Sequence, residues 1–453
     1  MLMKKLNALA LLILILASTS CTTEPSWKEM VTSDLSGWEQ LNGTAPFRFE
    51  NGEVVGTTVL NSPNSFLCTK EKYGDFILEF DTWFDPKMNS GVQIRSESIP
   101  EYQNGRVHGY QVELDPSERA WSGGIYDEAR RGWLYSLEKN PEGKKALKVG
   151  EWNHYRVEAI GNSIRTWVNG IPTADLIDDM TPSGFIALQV HGIGSDSSRV
   201  GEEVKWKNIR ILTEDLKKFA TPYTNIIPQV SFLTNTLTER EKAEGWKLLF
   251  DGQTSAGWMN AKTKAFPPSG WVVKDGMLAF VPEEKGEGGG GDIVTTDKFT
   301  NFELIADFRY VKGGNSGIKY FIDTERDSGK YASIGCEYQI LDDRNHPDAK
   351  AGINGNRTLA GLYDLIAPKP KRDNGFDNWN RATIIVNGSK VQHWLNDNLT
   401  VEYERSNQAW RDLVATSKFK NVPGFGETTS GRILLQEHTD PIAFKNIKIR
   451  EIK

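Results

Sequence analysis

Cysteine is nearly missing from this chain, with three in 453 residues. Cys21 sits near the start, and Cys68 and Cys336 fall one in each half. A bridge between those two would have to join separate parts of the fold, so both read as buried thiols. No Cys/His cluster has zinc spacing. Basic blocks are lacking too, and the formal net charge is −6, which argues against nucleic acid as a partner. The apolar run from Leu9 to Ala17 is too short to span a bilayer. It follows Lys4 and Lys5 and leads into Ser18-Thr19-Ser20-Cys21, a signal-peptide pattern. Small residues before a cysteine mark residues 1–21 as a lipoprotein signal, although Ser18 stands where Leu is commoner. The expectation is a cell-envelope protein, periplasmic or on the outer-membrane surface. Its membrane contact would be acyl chains on Cys21 alone.

What is present points to β structure. There are 14 Trp and 42 Gly, and short alternating runs are bounded by Gly, Asn and Pro. The chain also repeats itself. Leu35-Ser36-Gly37-Trp38 returns as Ser255-Ala256-Gly257-Trp258. Phe47-Arg48-Phe49-Glu50-Asn51-Gly52 returns as Trp271-Val272-Val273-Lys274-Asp275-Gly276, each running into a hairpin turn. Trp152-Asn153-His154 is answered by Trp379-Asn380-Arg381, and Trp206-Lys207-Asn208-Ile209 by Phe444-Lys445-Asn446-Ile447. Motif order is preserved, so the chain is a tandem duplication. The predicted organisation is all-β: one sandwich over residues 26–213, a linker over 214–243, and a second sandwich over 244–453. Thr238-x-x-Glu241 in the linker predicts a capping box on one short helix.

Candidate functional residues come from strands whose side chains alternate between two faces. In the first repeat Tyr110, Val112, Leu114, Val92 and Ile94 point to the core. The opposite face would then carry Gln93, Arg95, Gln111, Glu113, Asp115, Gln189 and His191. In the second repeat it would carry Lys319, Glu337, Gln339, Gln436 and His438. Aligning Gln111 with Gln339 sets Glu337 against Gly109 and Glu113 against Leu341, and replaces Arg95 by Phe321. A wet sheet face explains any one of these residues. A carboxylate, an imidazole and a cation on one face is the more specific pattern. Tyr126, in the aromatic and charged segment from Trp121 to Trp133, and its counterpart Tyr363 could wall such a cleft. No cofactor is required by the sequence, though the oxygens of Asp342, Asp343, Asn345 and Asp348 could hold a divalent cation such as calcium. Turn chemistry explains them equally well.

These segments resemble the 3-keto-disaccharide hydrolase domain family. The resemblance rests on Gly245-Trp246-Lys247-Leu248-Leu249-Phe250-Asp251-Gly252, Asn315-Ser316-Gly317, Glu337-Tyr338-Gln339-Ile340-Leu341-Asp342, Trp394-Leu395-Asn396 and Leu435-Gln436-Glu437-His438. The first repeat is similar to another branch, through His108-Gly109-Tyr110-Gln111-Val112-Glu113 and Gly124-Ile125-Tyr126-Asp127-Glu128. The resemblance implies two concanavalin A-like, laminarinase-like jelly rolls. It also implies a carbohydrate substrate: glycosides already oxidised to a ketone at carbon 3. A base would remove the acidified proton on carbon 2, and the group on carbon 1 would leave. On this reading Glu113 or His191 is the base of the first repeat and Arg95 steadies the enolate. Glu337 or His438 is the base of the second, with Lys319 as the cation. Gln93, Gln111, Asp115, Tyr126, Gln189, Gln339, Tyr363 and Gln436 orient the sugar. The competing expectation is a lectin-like binder without catalysis.

Overall fold

Period-2 alternation in both halves folds into four sheets that make two β-sandwiches. The computed structural model describes residues 24–282, 289–327 and 329–452; Cys21 and its signal lie outside them. In the first sandwich a nine-stranded sheet packs on a seven-stranded one. The seven-stranded sheet runs in the order Gly132–Tyr135, Ile125–Glu128, His108–Leu114, Ser90–Glu97, Phe185–Val190, Ser65–Thr69 and Trp38–Leu41. In the second sandwich an eight-stranded sheet packs on a five-stranded one: Trp258–Asn260, Ile293–Thr295, Arg432–Leu435, Asn315–Ile322 and Cys336–Leu341.

The predicted hairpin turns form as their residues dictate. Asn51 and Gly52 have φ of 52° and 81°, and Asp275 and Gly276 have 50° and 71°. These left-handed pairs match the twist of the flanking strands. Each sandwich has one large core and a smaller apolar cluster beside it. In the first the large core includes Tyr110, Val112, Leu114, Val92 and Ile94, the five residues assigned inward from alternation. In the second the matching strands contribute Ile318, Tyr320, Tyr338 and Ile340. Cys68 and Cys336 are buried free thiols.

The linker is built into the fold. Thr238 caps the helix Glu239–Ala243 with the full capping box, and Val230–Ser231 adds a parallel strand beside Ile171–Ile177. The helix Gln408–Ala415 has no counterpart in the strand pattern read from sequence. Its Trp410 and Val414 are buried, and Trp410 stacks on Tyr403 and Phe425.

The two sandwiches meet at a junction that reuses one repeat feature in two ways. Asn208 and Asn446 each take positive φ at a bulge in the long C-terminal strand of their sandwich, a conformation an Asn tolerates. Their amides donate to Asp81 and Asp307, at 2.6 Å in both cases. Asp81 then meets the exposed ring of His154 at 2.8 Å. Asp307 meets Arg381 through two bonds of 2.6 and 3.0 Å, and both partners are buried. Arg381 also donates to Ser231 O of the linker and lies 3.8 Å from the Phe232 ring centroid. Ser136 of the first sandwich donates to Asp397 of the second at 2.6 Å. Burial alone would push the Asp307 carboxyl up, but Arg381 beside it leaves it below its usual range. Removing one partner of a buried pair strands the other charge. Arg381→Met should therefore lower stability by about 3–5 kcal/mol in urea unfolding. A loss near zero would show that the junction does not lean on this pair.

Candidate functional site

The polar strand faces assemble, but in a register that differs from the sequence alignment. Gly91 pairs with Glu113 and Gln93 with Gln111. Gly317 pairs with Gln339 and Lys319 with Glu337. Ser90 and Ser316 donate to the carbonyls of Gln189 and Gln436 respectively, which fixes the correspondence. Gln111 therefore matches Glu337, and Glu113 matches Gln339. The alignment of Gln111 with Gln339 is corrected by two residues. Motif similarity alone admits both registers, because a shift of two keeps every side chain on its face. The repeats have exchanged acid and amide between two equivalent positions.

Each face is made possible by a glycine on the central strand. A Cβ at Gly91 would stand 2.3 Å from Gln111 Cδ, and one at Gly317 would stand 2.4 Å from Glu337 Oε1. The side chain of the neighbouring strand lies across that gap. In the first cleft Gln93 donates to Gln111 at 2.6 Å, and Gln111 donates to Glu113 Oε2 at 3.0 Å. Asn89 and Arg119 donate to Glu113 Oε1 at 2.7 and 3.2 Å. Burial raises the Glu113 carboxyl from 4.5 to about 7, against the pull of Asn89, Gln111 and Arg119. Gln189 is fully buried, and neither of its amide atoms has a partner.

In the second cleft Lys319 Nζ is 3.9 Å from Glu337 Oε2. Gln436, its amide turned to suit both neighbours, donates to Glu337 Oε1 at 3.2 Å and accepts from Lys319 at 3.1 Å. Gln339 donates to Asn315 at 3.1 Å; in the first cleft the equivalent pair runs the other way, from Asn89 to Glu113. Burial raises the Glu337 carboxyl, while Lys319, Lys418 and His438 pull it down. Lys418 packs 3.9 Å from the Tyr363 ring centroid, and burial lowers its ammonium despite Glu337.

Several expected members sit elsewhere. Arg95 leaves the face at a bulge, with φ of 45°. Its guanidinium is bound to Gly74 O, Gly161 O and Asp75, so it cannot serve Glu113. In the second repeat Phe321 stands at that bulge, and Arg405 packs 3.9 Å from its ring and reaches the carbonyl of Gly388. That spot takes a structural guanidinium in both sandwiches. Asp115 bonds Arg119 and the Ser117 amide, holding the loop rather than facing the cleft. Tyr126 and His191 are half-buried at the first rim, and Tyr363 is half-buried and His438 exposed at the second. The proposed cation oxygens are spent locally. Asp342 accepts from Gly313, Arg344 and Asn345, Asp343 pairs with Lys371, and Asp348 with Arg357. Among the described residues no acid, His and Cys cluster of metal-binding type forms.

Sequence reasoning missed Arg119, which pairs with Glu113 at 3.2 Å, and Lys418, whose charge acts on Glu337. Both come from loops, which alternation cannot place. The first face is covered more fully than the second: Gln93 and Gln189 have no exposed surface, whereas Lys319 keeps 8 %. A cavity of about 740 Å³ lies between the sandwiches rather than over either face.

The model of the 3-keto-alpha-glucoside-1,2-lyase-like domain matches residues 26–212 and 245–450. A 3-keto-disaccharide hydrolase of Bacteroides thetaiotaomicron is 38% identical over 231 residues, covering 46% of this chain and 79% of the relative. A solved structure from Parabacteroides distasonis, proposed to be a glycosyl hydrolase, is 29% identical with a TM-score of 0.43 and covers 49% of this chain and 100% of its own. A carbohydrate binding module of Bacillus subtilis is 15% identical with a TM-score of 0.29, covering 39% and 95%.

The raised Glu113 carboxyl has a sign that can be tested. A folded-state value above the unfolded one contributes stability below pH 4.5 that is lost as pH rises through about 7. Relative to Glu113→Gln, which cannot ionise, the wild type should lose about 3 kcal/mol across that window. Denaturant titrations at pH 4.5 and pH 8 read this directly. A constant difference between the two proteins would show that Glu113 does not titrate there.

Proposed function

The chain belongs to the family of 3-keto-alpha-glucoside-1,2-lyase-like domains, and we propose that it cleaves glycosides carrying a ketone at carbon 3, chiefly in the second cleft. The observation that carries this choice is the Lys319–Glu337–Gln436 cluster, with Lys418 beside it. Elimination needs a base for the proton on carbon 2 and positive charge for the enolate oxygen that forms at carbon 3. Glu337 is the base. Burial raises its carboxyl above the usual carboxylate value, and Gln436 orients it. Lys319 and Lys418 supply the charge. The C1–O bond then breaks, and the proton taken by Glu337 passes by way of His438 at the rim to the departing oxygen. Water added across the new double bond gives net hydrolysis. Paired carboxylates of the ordinary glycosidase kind are not needed.

The first cleft is less suited to this step. Glu113 is held by three donors, and the nearest cation, Arg119, is already bound to Glu113 and Asp115. We assign it to sugar binding. An acyl anchor on Cys21 would hold both clefts at the cell envelope; Cys21→Ser should move the protein from the membrane to the soluble fraction, and unchanged fractionation would refute the anchor.

The catalytic assignment is tested by following sugar released from a 3-keto-disaccharide, with the unoxidised disaccharide as control. Glu337→Gln should reduce turnover about 10²–10⁴-fold, the contribution typical of a general base. Glu113→Gln should change it only a few-fold. Binding without release by the wild type would favour a lectin-like role. Full activity of Glu337→Gln would remove that residue from the mechanism.

A further inference from the structure

One arginine crosses from the second sandwich to the first. Arg372 lies on a loop held at both ends: its carbonyl accepts from Asn396 at 2.9 Å, and the Asn374 amide donates to Asn380 at 2.9 Å. Between these anchors its guanidinium reaches 4.2 Å from the Trp121 ring centroid and 5.6 Å from that of Trp133. Arg119 approaches the same two rings at 5.2 and 4.9 Å. Trp133 meets Tyr126 edge-on at 5.3 Å, and Tyr126 pairs with Gln111 on the floor of the first cleft.

Arg119 is neutralised by Asp115 and Glu113. Among the described residues Arg372 has no acid partner, and its Nη1 is buried without any hydrogen bond. The acids nearby are engaged: Glu138 accepts from Trp121 Nε1 at 3.0 Å and from Lys144 at 2.9 Å, and Asp115 holds Arg119. Burial and the Arg119 charge together lower the Arg372 guanidinium. A cation drawn out of water beside a like charge is costly unless an anion joins it. The planar guanidinium fork fits a carboxylate through two parallel bonds. Beside it Trp133 offers an aromatic edge.

We infer that the first cleft binds a sugar bearing a carboxylate, a uronic acid residue, with Arg372 of the second sandwich as its receptor. The inference rests on reading this face as a sugar cleft. It makes the first site a composite of both repeats.

Quenching of tryptophan fluorescence in the full chain provides the test, with methyl glucuronide, methyl glucoside and glucose 6-phosphate as probes. The glucuronide should bind about tenfold more tightly than the glucoside, and added salt should erode only that advantage. Arg372→Gln should abolish the preference while leaving glucoside affinity intact, and Arg372→Lys should restore part of it. A role confined to clasping the sandwiches would change both sugars alike in Arg372→Gln and would overturn the inference. So would a preference that survives Arg372→Gln, or tighter binding of the phosphate than of the glucuronide. If the glucoside binds without any preference for the acid, this inference fails and the sugar-cleft reading stands. If no probe binds, both fail.

Discussion

A carboxylate buried on a sheet face is the constraint around which each sandwich is arranged. Removing it from water is expensive unless donors surround it. The donors can come close only because the central strand has a glycine where a side chain would otherwise stand. Gly91 lets Gln111 lie beneath Glu113, and Gly317 lets Glu337 lie across to Lys319 and Gln436. The glycine costs chain entropy and leaves room for the neighbouring side chain. Strand pairing, the turn residues and the packed core serve to keep that arrangement in register.

Duplication then allowed the two polar faces to diverge. Acid and amide have changed places between equivalent strand positions, while an asparagine, Asn89 or Asn315, adapts by donating in one cleft and accepting in the other. The cations are supplied differently. The first cleft draws Arg119 from its own loop and Arg372 from the neighbouring sandwich, and the second draws Lys319 from its strand and Lys418 from a loop. The junction shows similar divergence. Asp81 and Asp307 sit opposite equivalent bulges, yet one meets an exposed histidine and the other a buried arginine, because the linker covers only the second.

Much of the fold could be read from residues. The repeat was visible in ordered motifs, and the inward faces followed from period-2 alternation. The hairpin turns followed from Asn-Gly and Asp-Gly, and the linker helix from its capping box. The candidate sites were only half readable. Alternation finds which face a residue occupies, and so found Gln93, Glu113, Lys319, Glu337 and Gln436. It assumes an unbroken strand, so it misplaced Arg95, where a bulge turns the chain. It is also indifferent to a slip of two residues, which is why the match between Gln111 and Gln339 failed.

The sequence by itself determined local matters: two copies, their strand periodicity, their turns, and a polar stripe on one side of each. These depend on contacts between residues close along the chain or on geometry that repeats every second residue. Only the tertiary structure decided which charges meet. Arg119, Lys418 and Arg372 reach their places across loops and a domain boundary, and the energy of a buried charge depends on who stands beside it in space.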